Sequence, residues 1–255
     1  MDLAAIQDAA FQYQCPNNAF KDRIMLVTGA GDGIGKALAL ALARKGATVI
    51  LLGRTPEKLE QVYDQIESEG GPQPAMVPMN LAVATAEQFH ELAGMLTKEF
   101  GRLDALIHNA ALLGDITPIE NYAEDTWDTV IQVNVNAAFY LTRALLPMLR
   151  QSQDGRVLFT SSSVGRKGRA FWGAYAVSKF ANEGLMQVLA EELENTSNIR
   201  VHSINPGGTR TRMRAQAFPG ELPESRKTPE EILPAYLYLL GPEGGKYTGL
   251  ALNAQ

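Results

Sequence analysis

The sequence predicts a single-domain α/β fold: a seven-stranded, mostly parallel, doubly wound sheet with helices on both faces. Strand-like and helix-like stretches alternate along nearly the whole chain, as repeated βαβ units require. Most strand candidates are continuous apolar runs, the mark of strands covered on both faces. The 255 residues show no internal repeat, low-complexity tract or Pro/Gly/Ser linker, so one core suffices and nothing divides it.

Residues 1–20 read as an N-terminal extension and 21–255 as the domain. The strand candidates in order are Ile24–Val27, Thr48–Leu52, Ala75–Pro78, Leu103–Ile107, Arg156–Thr160, Arg200–Ile204 and Gly249–Leu252. The helix candidates between them are Ile34–Lys45, Glu57–Glu69, Thr85–Phe100, Glu124–Leu149, Ala174–Leu193 and Pro229–Leu240. Each helix candidate carries apolar residues at three- and four-residue spacing, as in Leu38, Ala41 and Leu42. Crossovers of this kind are right-handed. The Arg-, Pro- and Gly-rich stretch 207–227 reads as a long irregular loop, a length typical of substrate lids.

Composition narrows the function classes. Lys and Arg total 23 against 28 Asp and Glu, a formal charge of -5, which argues against a protein built to grip nucleic acid. No stretch reaches the roughly 18 apolar residues of a membrane span. The single cysteine, Cys15, has no intrachain partner, and Met-Asp-Leu opens the chain without a signal-peptide pattern. These features predict a cytoplasmic protein. No metal is expected.

Two clusters carry chemistry. Thr28-Gly29-Ala30-Gly31-Asp32-Gly33-Ile34-Gly35 joins the first strand to the first helix. Glycines there permit a tight turn and let backbone N–H groups at a helix N-terminus meet a pyrophosphate, so dinucleotide binding is expected. The second cluster follows the fifth strand. Ser161-Ser162-Ser163 ends it, and Tyr175 and Lys179 stand one turn apart at the start of the next helix. Spacing i, i+4 puts phenol and ammonium on one face, where the lysine favours a phenolate.

At these residues the sequence resembles the short-chain dehydrogenase/reductase family, from about Lys21 to Leu252. The family's Thr-Gly-x-x-x-Gly-x-Gly turn matches Thr28, Gly29, Gly33 and Gly35. Its Tyr-x-x-x-Lys matches Tyr175 and Lys179, and its serine, 13 residues upstream, selects Ser162. Its asparagine, seven residues after a Trp in the long helix, matches Asn134. Its Pro-Gly-x-x-x-Thr segment matches Pro206, Gly207 and Thr211. Ser161–Phe180 and Asn205–Phe218 are most similar to the YciK-like bacterial oxidoreductases.

The resemblance implies a Rossmann fold, catalytic Asn134, Ser162, Tyr175 and Lys179, and cofactor contacts from Gly29, Gly33, Ile34, Gly35, Arg54, Asn80, Leu81, Asn109, Ala110, Pro206, Gly207 and Thr211. It implies an oxidoreductase interconverting a carbonyl and a secondary alcohol by hydride transfer. Tyr175 would move the proton, Ser162 would bond the reacting oxygen, and Asn134 would hold a water linking Lys179 to solvent. One motif departs: the usual Asn-Ala-Gly is Asn109-Ala110-Ala111, preceded by His108, which reads as a packed or backbone-bonded residue. A nucleotide-sensing protein without turnover is the alternative, opposed by the intact Ser/Tyr/Lys/Asn set. An epimerase or dehydratase is a third reading, opposed by the short stretch after Gly207.

The second strand runs into Gly53-Arg54, where the family's NAD users tend to carry an acid at the position of Gly53. A guanidinium fork there suits a ribose 2′-phosphate, so NADP(H) is expected, against a mild repulsion from Asp32. Arg166, Lys167, Arg169, Arg210, Arg212 and Arg214 flank the expected mouth. They read either as loop, subunit or phosphate contacts, or as a field that steers an anionic small-molecule substrate. Phe171, Trp172, Met213 and Phe218 are candidates for the pocket. Relatives pair through long helices, and Val130, Val133, Phe139, Leu141 and Leu145 crowd one helix, so a homodimer or homotetramer is expected.

Overall fold

The computed structural model describes residues 2–255, and among these all seven strands are parallel in the order β3-β2-β1-β4-β5-β6-β7. They are β1 (Ile24–Thr28), β2 (Thr48–Gly53), β3 (Ala75–Pro78), β4 (Ala105–His108), β5 (Gly155–Thr160), β6 (Ile199–Asn205) and β7 (Leu250–Asn253). Each expected strand is present within two residues of its bounds.

The apolar runs explain the layering. Successive side chains of a strand point to opposite faces, and here both faces are covered. Leu26, Ile50, Leu52, Leu106, Val157, Phe159 and Val201 enter one core, with α4 (Ala86–Phe100), α6 (Ala137–Leu149) and α7 (Gly173–Glu194). Met25, Val27, Val49, Leu51, Ile107, Leu158 and Ile204 enter the other, with α1 (Leu3–Phe11), α2 (Gly33–Arg44), α3 (Pro56–Ser68) and α9 (Leu233–Leu240). Strand order reverses between β1 and β4, which opens a crevice at the carboxyl ends of the strands.

Three segments depart from the sequence reading. The first 20 residues contain α1, capped by Asp2, whose carboxylate accepts from Ala4 and Ala5 N–H. Ile6 and Ala10 are buried, and the Gln7 amide exchanges two hydrogen bonds with the backbone of Asn253 in β7 (2.7 and 2.8 Å). The helix therefore docks on an edge strand and satisfies part of its free ladder. The long helix expected over Glu124–Leu149 is broken into α5 (Glu124–Ile131), a π-helical turn at Gln132–Asn136, and α6. π turns of this kind appear mostly as local insertions, often at functional sites. The stretch 207–227 is not one irregular loop: it contains α8 (Arg212–Ala217), capped by the Thr211 hydroxyl, and a 3₁₀ turn at Pro223–Ser225. No helix among the described residues is long and apolar enough to cross a membrane.

Candidate active site

The crevice is a cleft of about 560 Å³ lined from both halves of the sheet. At its β1 end, Gly29 takes a positive φ of 68°, and a Cβ at Gly35 would collide with the Gly29 carbonyl, so only glycine lets helix α2 start this close to the strand. Asp32 caps α2, its Oδ1 accepting from Gly33 N–H at 2.8 Å. The Thr28 hydroxyl accepts from the N–H of Asn109 and Ala110 (2.9 and 3.0 Å), and the Asn109 amide donates to the Thr28 carbonyl. These bonds tie the glycine turn to the loop after β4. Gly29, Gly33, Ile34, Arg54, Asn80, Leu81, Asn109, Ala110, Pro206, Gly207 and Thr211 all line the cleft; Gly35 stands just behind it. Ala111 lines it too, and Gly33 lies against the Thr211 methyl.

At the β5 end, Ser162, Tyr175 and Lys179 line the same cleft. Lys179 is buried, its ammonium donating to the Thr160 carbonyl at 2.7 Å and lying 5.4 Å from the centre of the Tyr175 ring. Burial pulls the lysine down to about 8, opposed by the Glu183 carboxylate one turn along the same helix face. Burial pushes Tyr175 up to about 12, and only its hydrogen bond with Ser162 pulls the other way. Desolvation thus sets the phenol in the free protein, and the lowering by Lys179 that the spacing led us to expect is not among the influences on it. At neutral pH the phenol carries its proton and the lysine its charge.

Asn134 sits in the π turn, and its side chain is fully engaged. Its Oδ1 accepts from Leu112 N–H at 2.8 Å, and its Nδ2 donates to the Leu112 carbonyl and to Ser178 Oγ, each at 2.9 Å. Ser178 in turn donates to the Tyr175 carbonyl at 2.7 Å. The expected water would therefore have to be held by other atoms of this residue. His108 is packed as expected, but its partner is a side chain. Its ring stacks on Phe159 at 4.8 Å and its Nε2 lies 2.8 Å from Thr142 Oγ1. That hydroxyl donates to the Ala138 carbonyl, so the histidine supplies the proton. Burial, with Lys179 nearby, drops His108 to about 3 and keeps it neutral.

Trp172 and Met213 line the cleft and pack with Leu113, Val164, Ala217 and Tyr175 into an apolar wall. Phe218 lies one layer behind, tilted against Trp172 and covered by the Arg214 guanidinium, and Phe171 is exposed. The basic residues at the mouth are mostly engaged within the chain. Arg166 bonds Glu183, Leu252 and Asn253; Arg210 bonds the carbonyls of Pro223 and Arg226; Arg214 grips Glu221; Arg212 pairs with Asp32. These contacts favour the reading as loop ties over a free steering field.

Sequence reasoning passes over Glu183, Ser178 and Lys58. An i+4 carboxylate after Lys179 is a legible signal for the first; the others need the fold. Among the described residues no group of His, Cys, Asp and Glu could hold a metal.

The profile of the short chain dehydrogenase family matches residues 23–222. The uncharacterized oxidoreductase YciK of Escherichia coli K12 is 53% identical over 243 residues, 95% of this chain and 96% of that protein. The structure of the short chain dehydrogenase from Shigella flexneri is 52% identical, with a TM-score of 0.94 over 96% of each chain. A short chain dehydrogenase structure from Escherichia coli CFT073, complexed with NADPH, is 53% identical with a TM-score of 0.91, covering 94% of this chain and all of that one. Fold, cleft and these matches along nearly the whole length agree: the chain belongs to the short chain dehydrogenase family of oxidoreductases.

Proposed function

We propose that the chain is an NADP(H)-dependent oxidoreductase of the cytoplasm that interconverts a small-molecule carbonyl and secondary alcohol, with Tyr175 as general acid and base. The observation that carries this reading is the placement of Ser162, Tyr175 and Lys179 on the wall of the cleft that the glycine turn opens. Neither nucleic acid nor membrane is a partner in this reading.

The residues fit a dinucleotide. Gly29, Gly33 and Gly35 leave the turn bare where a pyrophosphate needs backbone N–H groups, and α2 begins there. Arg54 lines the cleft at the end of β2, and Gly53 before it brings no acid to the ribose hydroxyls. Pro206, Gly207 and Thr211 would hold the nicotinamide end. The bound cofactor supplies or accepts the hydride.

The protein's own residues handle the proton. In reduction, Tyr175 gives its proton to the carbonyl oxygen while Ser162 donates a hydrogen bond to the same atom. The phenol is protonated at neutral pH, so the reductive direction starts from the resting form. Lys179 stabilises the phenolate left behind, and its charge at neutral pH suits that role. Asn134 and Ser178 hold the backbone of Tyr175 against the loop after β4, a positioning role. Leu113, Trp172 and Met213 offer an apolar surface to the group beside the carbonyl. The free Cys15, without a second cysteine in the chain, suits a reducing compartment.

We assign a homo-oligomer, resting on only one of the residues the sequence suggested, Phe139, together with residues of α7. Val130, Val133, Leu141 and Leu145 are buried within the subunit, whereas Phe139 on α6 and Val177, Phe180 and Val188 on α7 are exposed. A second copy would cover them.

Tyr175→Phe removes only the hydroxyl. Cofactor affinity should stay within about twofold while turnover falls about 10²–10⁴-fold; a variant with most of its activity would contradict the assignment. Arg54→Ala should lower kcat/KM for NADPH by about 10- to 100-fold, the scale of one lost charge-assisted hydrogen bond, and leave NADH nearly unchanged. Equal losses with both cofactors would place discrimination elsewhere. Light scattering at micromolar concentration should give a multiple of the 27.7 kDa chain mass; a stable monomer would refute the assembly.

A further inference from the structure

We propose that Lys58 is a second cation for the ribose 2′-phosphate, held at the glycine turn by Asp32 until the phosphate replaces Asp32 as its partner; this rests on the NADP(H) reading above.

Asp32 occupies the corner of the cleft where a carboxylate would repel a phosphate. Its charge is already claimed. Oδ2 lies 2.5 Å from Lys58 Nζ and 3.1 Å from Arg212 Nη2, while Oδ1 caps Gly33. The hydrogen bond from Lys58 is the largest influence holding this carboxyl below its usual range. The turn therefore presents two cations to one anion, and Arg54 lines the same cleft.

Lys58 reaches the turn because the backbone there is bare. A Cβ at Gly31 would lie 2.9 Å from the Lys58 Cβ, so any side chain at that position would push α3 away. Helix α3 begins directly after Arg54 and Thr55, with Pro56 in its first turn, and the Thr55 side chain makes no capping bond. Arg54, Thr55 and Lys58 all line the cleft, Lys58 in contact with Asp32. A phosphate at this corner would meet a guanidinium, an ammonium and a helix N-terminus that no side chain occupies.

The exchange of partners is physically easy. Asp32 is about half exposed and Lys58 about a third, so their ion pair is screened by water and contributes little. A phosphate carries more charge than a carboxylate and offers more acceptor oxygens. Asp32 would keep its cap on Gly33 and its contact with Arg212 while Lys58 turns to the phosphate.

The test is calorimetric binding of 2′,5′-ADP and 5′-AMP, probes that differ only in the 2′-phosphate, to the full chain and two variants. Lys58→Met keeps the aliphatic stem over Gly31. It should weaken 2′,5′-ADP about tenfold, the effect of one lost charge-assisted contact, and leave 5′-AMP within about twofold. Asp32→Asn preserves the cap, since asparagine caps as well as aspartate, and removes the competing charge. It should tighten 2′,5′-ADP severalfold. Equal weakening of both probes by Lys58→Met would show that the lysine only packs the turn, and an unchanged 2′,5′-ADP affinity would also overturn the inference. Weaker 2′,5′-ADP binding in Asp32→Asn would overturn the exchange. A wild-type chain that binds both probes equally would sink the NADP(H) reading and this inference with it. Wild-type discrimination that is undiminished in Lys58→Met would sink this inference alone.

Discussion

One buried ammonium sets the conditions for the rest of the site. Lys179 is about 2% exposed, deep enough that its charge must be answered within the protein. The Thr160 carbonyl accepts from it, and the Glu183 carboxylate stands one helical turn away. Glu183 is held in turn by Ser203 Oγ at 2.7 Å and by Arg166 Nε at 3.1 Å. Arg166 extends this set to the Leu252 carbonyl and Asn253 Oδ1 in β7. Removing one partner of such a buried set is costly, because the other charges are left unanswered. The turn after Ser162, the middle of α7 and the last two strands are thereby locked together around one charge. Gly165 belongs to the same arrangement: a Cβ there would lie 2.7 Å from the Lys179 Cβ.

The two ends of the cleft are joined by polar contacts that run across the top of the sheet. Thr28 binds the loop after β4 through its hydroxyl, Asn134 binds the same loop at Leu112, and Ser178 passes that contact to the backbone of Tyr175. The π turn is the local expression of this demand. An extra residue in the turn places the Asn134 amide where it serves one N–H, one carbonyl and one hydroxyl at once. Neutral His108 fits the same logic. Beside a buried ammonium, a second positive charge is disfavoured, and its proton is spent on Thr142.

Much of this architecture is legible in the order of the residues alone. Strands such as Val49–Leu52 and Val157–Phe159 are apolar on consecutive positions because both faces are covered, and that pattern survives in one dimension. Tyr175, Lys179 and Ser162 are legible because fixed spacing on a helix and at a strand end implies a shared location. What is not legible depends on distant partners. The break at Gln132–Asn136 comes from bonds to Leu112 and Ser178, and the helical periodicity on either side hides it. The six basic residues near the mouth read as a field in sequence, whereas the fold brings Glu183, Asp32 and Glu221 to three of them, Arg166, Arg212 and Arg214. Lys58 looks like an ordinary helix-surface charge because its distance from Asp32 depends on how α3 packs over Gly31. The upward shift of Tyr175 is also hidden, since it comes from burial, which the four-residue spacing to Lys179 does not reveal.

The claim on which the account rests is that Lys179 is buried yet charged at neutral pH, with its proton held less tightly than that of a solvated lysine. Nitrogen NMR of the lysine side chains across a pH series, with Lys179 assigned by its loss in Lys179→Met, tests this directly in the free protein. The account predicts that Lys179 titrates near pH 8, well below the ordinary value of 10.5. A Lys179 that titrates with the solvated lysines, or one already neutral at pH 6, would contradict it.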